Sequence, residues 1–230
     1  MCKFATDTFR QGRCFFMAKR AFVFVNGTLA NLEGIRSQIE TGDTLVAVDG
    51  GLRHLDALGL TPNLVIGDLD SIDPQRLADL QAAGITIERF PREKDETDLE
   101  LALLKLSQTG YDVIRVVAAL GGRLDQTLAN LFLLELDGLE KVNIRLDDGR
   151  EEILIIRDTA IVAGKPGETF SLLAMDGCTR GIQTQGLKYP LKDETLCPNR
   201  SRGISNEMLG DEAQIKIHSG RLLCIHTRQS

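Results

Sequence analysis

The chain has 230 residues and a formal net charge of −6 at pH 7, with 43% hydrophobic and 26% charged residues. This composition is typical of a soluble globular protein of one large or two modest domains, and the acidic balance argues against a nucleic-acid partner. No apolar run approaches the length of a membrane span, so a membrane partner is not expected either.

The first sixteen residues carry charges and no sustained apolar run. They do not resemble a secretory signal, and residues 1–16 are predicted to be a disordered tail. The first convincing strand is expected shortly after Met17.

Residues 17–146 alternate short β-rich runs with helical patterns. The runs are AFVFVNG, TLVAVDGG, NLVIGDLDS, GITIERFP, DVIRVVAALGG and KVNIRL. The clearest helical patterns between them are SIDPQRLADLQAAG, TDLELALLKLSQTG and DQTLANLFLLELDG. Strands separated by helices predict βαβ units, and strands apolar at nearly every position predict burial on both faces. We therefore expect a doubly wound, mostly parallel sheet with flanking helices.

Residues 147–230 lose the helical signal and show short strands with turn residues at close intervals. This pattern predicts an antiparallel all-β sandwich, with the domain boundary near Asp147. The charged run DDGREE at the start of this half is predicted to be a solvated hairpin tip.

The five cysteines are odd in number and show no CxxC spacing. They are Cys2, Cys14, Cys178, Cys197 and Cys224. This usage predicts reduced thiols in a cytoplasmic protein rather than a disulfide framework or a zinc site. The three histidines, His54, His218 and His226, have no clustered partners in the sequence and are predicted to be structural.

Four predicted strand ends carry polar, turn-forming residues, and a parallel sheet delivers all four to the edge where ligands bind. They are VDGG (Asp49, Gly50, Gly51), GDLDS (Asp68, Asp70, Ser71), KDETD (Lys94, Asp95, Thr97, Asp98) and GGRLDQ (Gly121, Gly122, Arg123, Asp125).

Each of these clusters also has an ordinary structural explanation. Asp68 and Asp70 could cap the next helix, Thr97 and Glu100 could form a capping box, and Asp125 could be an N-cap. Taken together, however, carboxylates gathered at one edge repel one another unless a cation lies among them. Mg²⁺ suits such a site because it takes oxygen ligands and few carboxylates.

The glycines and Arg123 favour a phosphate ligand, because backbone N–H groups can approach an anion there and a guanidinium neutralises phosphate oxygens. The chain has neither a GxxxxGK[ST] nor a GxGxxG motif, so neither a P-loop nor a Rossmann dinucleotide site is predicted. The chemistry indicated is metal-assisted phosphoryl transfer from a nucleotide.

The motifs DGG, GDLDS, KDETDLELA and GGRLDQTLANL, in this order and spacing, resemble the thiamine pyrophosphokinase family. GLKYPL and RGISNE resemble its thiamine-binding sandwich, and the likeness extends from Ala21 to His226. The resemblance implies transfer of a pyrophosphoryl group from ATP to the hydroxyethyl oxygen of thiamine, giving thiamine diphosphate and AMP. It also implies Mg²⁺ dependence and a homodimer with thiamine bound between subunits.

The resemblance also implies residue roles. The catalytic residues would be Asp68, Asp70 and Asp98, with either Asp70 or Asp98 accepting the hydroxyl proton. The metal ligands would be Asp68, Asp70, Asp95 and Asp98. The ATP site would comprise Asp49, Gly50, Gly51, Ser71, Lys94, Thr97, Gly121, Gly122, Arg123 and Asp125. The aminopyrimidine of thiamine would be held by Ser205 and Asn206.

Two features depart from the family pattern. Gln126 stands where many members have His, and the chain has no Trp to stack on thiamine. Two alternatives are a related pterin pyrophosphokinase, which would leave GLKYPL and GISN unexplained, and a nucleotide- or thiamine-binding sensor without turnover. Loss of an aspartate would have favoured the sensor, and all the motif aspartates are present.

Overall fold

The first half of the chain forms a parallel sheet whose strands alternate with helices, as predicted. The structure is a computed structural model and describes residues 18–229, so the predicted tail, Cys2 and Cys14 lie outside the described residues. The strands of this half are β1 (Arg20–Phe24), β2 (Thr44–Val48), β3 (Leu64–Gly67), β4 (Thr86–Arg89), β5 (Val113–Val117) and β6 (Asn143–Asp147). Their order is β4-β3-β2-β1-β5-β6, and every neighbouring pair is parallel.

Five helices alternate with these strands. They are α1 (Leu32–Arg36), α2 (Leu52–Leu58), α3 (Pro74–Ala82), α4 (Asp98–Gln108) and α5 (Leu124–Phe132), with 3₁₀ turns at Asp49–Gly51 and Leu133–Glu135. Three of them, α1, α3 and α4, begin at a side-chain cap. Asp73 caps α3, and the cap predicted at Thr97 is confirmed by a 3.2 Å hydrogen bond from Glu100 N. The possible N-cap at Asp125 is not found, because α5 begins at Leu124 and Asp125 lies within its first turn.

The second half is antiparallel, as predicted. Its strands are β7 (Glu151–Ile156), β8 (Thr159–Ala163), β9 (Thr169–Ala174), β10 (Thr179–Gln185), β11 (Lys192–Leu196), β12 (Asn206–Glu207), β13 (Glu212–Lys216) and β14 (Leu222–Thr227). Four of them form a separate sheet in the order β11-β10-β13-β8, and the other four continue the first sheet beyond β6. A single ten-stranded sheet therefore runs through both halves, in the order β12-β9-β14-β7-β6-β5-β1-β2-β3-β4.

Strand alternation gives this long sheet two differently covered faces. Phe22 and Phe24 pack with apolar residues of α1, α2 and α3, whereas Ala21 and Val23 pack with those of α4. On the second half, Phe170 and Leu172 point toward the four-stranded sheet and form the sandwich core. The face shared by α1–α3 and the four-stranded sheet leaves a gap between them, over β5 and β6.

Charged side chains fill that gap. Register places Asp147 opposite Glu152, and Glu152 opposite His226, so their side chains share one face of the sheet. Glu152 is 3% exposed and pairs with Arg115 and with Arg145, whose Nη1 lies 2.9 Å away. The solvated hairpin tip predicted for DDGREE is therefore wrong at Asp147, Asp148 and Glu152, which are buried.

The buried charged cluster consists of these residues and the partners that complete it: Arg115, Arg145, Asp147, Glu152, Glu168, His226 and Arg228. Burial raises the pKa of Glu152, but His226 and the surrounding arginines outweigh it and hold that pKa well below its usual value. His226 Nε2 lies 2.7 Å from Glu168 Oε2, so the expectation that His226 lacks clustered partners is wrong. Removing one member of such a buried pair typically costs about 3–5 kcal/mol.

Cys178 and Cys197 form a disulfide, so the prediction that all the cysteines are reduced is wrong. The physical reason is the register of β10 and β11, in which Thr179 pairs with Leu196. Because the strands are antiparallel, Cys178, which precedes Thr179, lies opposite Cys197, which follows Leu196. Cys224 is free and buried. Reduced thiols were part of the reason for predicting a cytoplasmic location, which stays a prediction.

None of the helices between residues 18 and 229 is long and apolar enough to cross a bilayer.

Cys178→Ser should lower the melting temperature, because the disulfide closes a segment with a sequence separation of 19 residues. Closure of a loop of that length contributes about 3 kcal/mol, which for a chain of this size corresponds to a fall of about 6–12 °C. Calorimetry with and without a dithiol reductant measures this, and reductant should not change the melting temperature of the variant. An unchanged wild-type melting temperature after complete reduction would contradict it.

Candidate active site

Three of the predicted carboxylates meet at the carboxyl edge of the parallel sheet. Asp49 follows β2, Asp68 follows β3, and Asp98 begins α4 after the long β4–α4 loop. Asp98 lies close enough to Asp49 for hydrogen bonding and for its negative charge to raise the pKa of Asp49, and the charge of Asp68 acts in the same direction. We call Asp49, Asp68 and Asp98 the acidic edge.

Backbone geometry explains why glycine precedes Asp68. Gly67 has φ +144°, and a Cβ atom built there would lie 1.7 Å from Asp49 Oδ1. Asp49 itself has φ +46°, and its Oδ1 accepts a 3.3 Å hydrogen bond from the Leu69 backbone N–H. The two strand ends therefore approach so closely that only glycine fits at position 67.

The acidic edge is strained electrostatically. Burial, together with the hydrogen bond and charge of Asp98, raises the pKa of Asp49 to about 7. Asp49 thus keeps its proton at a pH where an exposed aspartate has lost it.

Two cationic side chains lie beside the predicted carboxylates and offset part of the repulsion between their charges. Lys94 Nζ is 2.8 Å from Asp98 Oδ1, and both side chains are largely buried. Lys94 Nζ also donates to the Pro91 carbonyl oxygen, 2.9 Å away. Arg92 Nη1 is 3.6 Å from Asp70 Oδ2, and both of these side chains are exposed.

The remaining predicted ATP and metal residues lie in loops around this edge. Asp95, Thr97 and Ser71 are exposed, and Arg123 pairs with Asp125 over 3.1 Å at the start of α5. Gly50 and Gly51 lie in the 3₁₀ turn after β2, and Gly121 and Gly122 have positive φ after β5. The structure brings together Asp49, Asp68, Asp98 and Lys94. Asp70 joins them through its backbone N–H, which donates to Asp68 Oδ1 over 3.0 Å, while its side chain faces Arg92. The Arg123 side chain bonds Asp125 instead.

The donor atoms at the acidic edge are all carboxylate oxygens, which suit a hard cation such as Mg²⁺. Among residues 18–229, no group of three or more His, Cys, Asp or Glu side chains is placed to hold an ion. Mg²⁺ commonly uses only one or two carboxylates and completes its coordination with water and phosphate oxygens. The residues present therefore fit an ion shared with a bound nucleotide.

A fifth strand end belongs to the same edge and was not predicted. β1 lies between β2 and β5, which is the point where the strand order reverses and where open α/β sheets bind ligands. Gly27 N donates to Ala118 O over 2.9 Å, and Arg53 Nη2 donates to the Gly27 carbonyl over 2.8 Å. The sequence signal was the Asn26-Gly27 pair directly after the first apolar run.

The residues predicted to bind thiamine lie at the start of β12, at the other end of the sheet. Asn206 Oδ1 accepts from Tyr189 N over 3.0 Å, and its Nδ2 donates to Tyr189 O over 2.8 Å. Ser205 N donates to Ser171 Oγ over 3.0 Å. These segments border a cavity of about 280 Å³ lined by Phe170, Leu172, Leu187, Tyr189, Ile204 and Asn206, among others.

The two predicted sites are far apart within one chain. β3 is the ninth strand counted from β12, so eight strand spacings separate them. At about 4.8 Å per spacing, the distance along the sheet is about 38 Å. Asp68 and Asn206 of one chain therefore cannot contact one small molecule.

A parallel sheet with an acidic, glycine-bordered edge, continued by an antiparallel sandwich, defines a two-part α/β protein with a candidate ligand site in each half. Two family models match these halves. "Thiamin pyrophosphokinase, catalytic domain" matches residues 35–146, and "Thiamin pyrophosphokinase, vitamin B1 binding domain" matches residues 154–222. The chain belongs to the thiamine pyrophosphokinase family, which confirms the resemblance seen in the motifs.

Individual relatives support the family assignment. A thiamine pyrophosphokinase of Bacillus subtilis is 28% identical over 184 residues, covering 79% of this chain and 86% of the relative. A crystal structure of the enzyme from that organism has a TM-score of 0.82 at 24% identity, covering 92% of this chain and all of the other. The yeast thiamin pyrophosphokinase has a TM-score of 0.73 at 17% identity, with coverage of 92% and 86%. The predicted fold class is confirmed.

The raised pKa of Asp49 predicts a pH-dependent stability. Between about pH 4 and 7 the folded protein keeps a proton that the unfolded chain releases, so this group lowers the free energy of unfolding as the pH rises. The side chain in Asp49→Asn does not titrate, so the variant does not lose stability in this way as the pH rises. The difference in free energy of unfolding, variant minus wild type, should therefore increase from pH 4 to 7 and stay level above pH 7.

Chemical denaturation in a chelator-containing buffer across this pH range measures the difference. The matched control is Asp95→Asn, which removes one exposed charge at the same edge. A difference between Asp49→Asn and wild type that is constant with pH would show that Asp49 titrates as an ordinary aspartate.

Proposed function

We propose that this protein transfers a pyrophosphoryl group from ATP to the hydroxyl group of thiamine, giving thiamine diphosphate and AMP in a Mg²⁺-dependent reaction. The observation that carries the proposal is the acidic edge of Asp49, Asp68 and Asp98, in a chain whose two halves both match the family. The parallel half would bind ATP, and the antiparallel half would bind thiamine.

Asp68, Asp70, Asp95 and Asp98 would hold the ion, which when bound neutralises phosphate charge and orients the triphosphate. The backbone of Gly121 and Gly122 and the guanidinium of Arg123 would bind phosphate oxygens at the start of α5. Asp49, Gly50, Gly51, Ser71, Lys94, Thr97 and Asp125 would line the rest of the nucleotide site.

The protein's contribution is mainly to hold the thiamine hydroxyl in line with the β-phosphorus of ATP. Of the two candidates for the proton acceptor, Asp98 is better supported than Asp70. Asp98 is largely buried and adjoins Asp49, inside the group of carboxylates at the sheet edge. Asp70 is exposed.

The separation of about 38 Å along the sheet supports a homodimer with shared sites. Thiamine held by Ser205 and Asn206 of one subunit would react at the acidic edge of the other. Because the Asn206 side chain already bonds the Tyr189 backbone, it keeps one amide N–H for thiamine, and the Ser205 hydroxyl supplies the second contact. Tyr189 is 64% exposed beside the cavity, so its ring can cover thiamine where this chain lacks a tryptophan.

Purified protein should release AMP from ATP and Mg²⁺ when thiamine is added, and not when a hydroxymethylpterin is added. Asp98→Asn should lower turnover by at least a hundredfold while the protein stays folded. Asp79→Asn, an exposed change on α3, is the control and should keep full activity. AMP release only with the pterin would favour the related kinase, and no release with either acceptor would favour a sensor.

Shared sites predict recovery of activity when two inactive variants are mixed. One variant carries Asp98→Asn, and the other carries Ser205→Ala with Asn206→Ala. After complete subunit exchange, half of the dimers are mixed, and each has one intact site and one doubly altered site. AMP release should therefore recover to roughly a quarter of the wild-type rate.

The degree of exchange is measured by native mass spectrometry of differently tagged subunits. Verified exchange without recovery would assign both parts of the site to one chain and would reject the shared-site arrangement.

A further inference from the structure

Arg53, the second residue of α2, bonds backbone carbonyl groups instead of a carboxylate. Its Nη2 donates to Asn26 O over 3.0 Å and to Gly27 O over 2.8 Å, and no carboxylate within residues 18–229 pairs with it. His54 Nε2 lies 3.1 Å from the same Gly27 oxygen. We call residues 26–28, which follow β1, the β1 turn. Arg53 is exposed, so its main contribution to the structure is to join α2 to this turn.

The β1 turn is bonded in its turn to the loop that is proposed to bind phosphate. We call residues 118–122, which contain both glycines of that loop, the phosphate loop. Gly27 N donates to Ala118 O over 2.9 Å, and Thr28 N donates to Leu120 O over 3.0 Å. Because both bonds run from the turn to the loop, a shift of the β1 turn also shifts the phosphate loop.

The backbone of the phosphate loop depends on such support. Ala118 has φ +60°, a left-handed conformation that is uncommon for a residue with a side chain and persists only where neighbouring groups hold it. Its carbonyl oxygen is the one that accepts the bond from Gly27 N. Gly121 has φ +79°, and a Cβ atom built on it would lie 2.7 Å from Thr28 Oγ1. The β1 turn therefore contacts the loop at both of these unusual positions.

The β1 turn also contacts the other side of the proposed nucleotide site. β1 lies between β2 and β5 in the sheet, so its carboxyl end separates the acidic edge from the phosphate loop. A Cβ atom built on Gly50, directly after Asp49, would lie 2.7 Å from Asn26 Cγ. The turn that Arg53 holds is therefore the segment that joins the two parts of this site.

We propose that Arg53 is a positioning residue for nucleotide binding, which holds the phosphate loop, through the β1 turn, in the conformation that binds the triphosphate of ATP. In this role Arg53 acts through the backbone of Asn26 and Gly27 rather than by contact with the nucleotide. The inference rests on the proposed function, which assigns ATP to this edge of the sheet.

The first test is the affinity for an ATP analogue with a methylene group between the α- and β-phosphorus, measured by calorimetry with Mg²⁺. Arg53→Ala should weaken this affinity about tenfold, because loss of a charged donor lowers the fraction of molecules whose phosphate loop is in the binding conformation. The KM for ATP should rise by a similar factor, whereas the KM for thiamine should be unchanged. A general loss of stability would not separate the two substrates in this way.

Hydrogen exchange of the protein without nucleotide distinguishes positioning from direct contact with a phosphate group. The backbone amides of residues 26–28 and 118–122 should exchange faster in Arg53→Ala than in wild type. Arg53→Lys keeps a donor for the two carbonyl groups, so its exchange rates and its affinity should lie between those of wild type and Arg53→Ala.

Arg36→Ala is the matched control. Arg36 also bonds a backbone carbonyl group of α2, but this is Leu58 O at the far end of the helix. This variant removes an arginine with the same kind of contact, and it should change neither the exchange of the two segments nor the affinity for the analogue.

Unchanged exchange at the β1 turn and the phosphate loop in Arg53→Ala would overturn the positioning role. If binding were weaker in that case, Arg53 would be a direct ligand of the nucleotide. Faster exchange with unchanged affinity would also overturn the inference, because the loop conformation would not matter for binding. A wild-type protein that does not bind the analogue would instead reject the proposed function, and the exchange rates would still decide whether Arg53 holds the loop.

Discussion

The constraint on which the rest of the structure depends is the hairpin that joins β6 to β7. There the sheet changes from parallel to antiparallel pairing without interruption, with Leu146 opposite Ile153 and Asp147 opposite Glu152. The buried charged cluster forms around this hairpin and fills the gap between α1–α3 and the four-stranded sheet. Because the sheet is continuous, the distance between its acidic edge and β12 is set by strand spacing alone.

The parallel half could be predicted from the sequence because its signals are local. Apolar runs of five residues, helices with their own caps and glycine turns each depend on neighbours within one turn or strand. Thr97 is an example, since its hydroxyl caps a group three residues away. The carboxyl edge of a parallel sheet then follows from topology, which is why the carboxylates of the acidic edge could be grouped before their contacts were known.

Features that depend on register between distant strands could not be predicted in this way. The run DDGREE has the composition of a solvated turn, but its counterions are distant in the sequence: Arg115 lies on β5, and Arg228 directly follows β14. Cys178 and Cys197 face each other only because of the pairing of β10 with β11. Likewise, the bond of Asn206 to the Tyr189 backbone joins two loops whose proximity has no local signal.

The continuous sheet also determines how the molecule can move. Two domains joined by a flexible linker can close around a ligand by hinge rotation, which requires a few residues free to change their backbone angles. Here the junction is a hydrogen-bonded ladder backed by buried ion pairs to Glu152, and a hinge rotation would have to break both. Closure over a substrate therefore has to come from its loops, such as residues 90–97, or from rotation of one whole subunit against another.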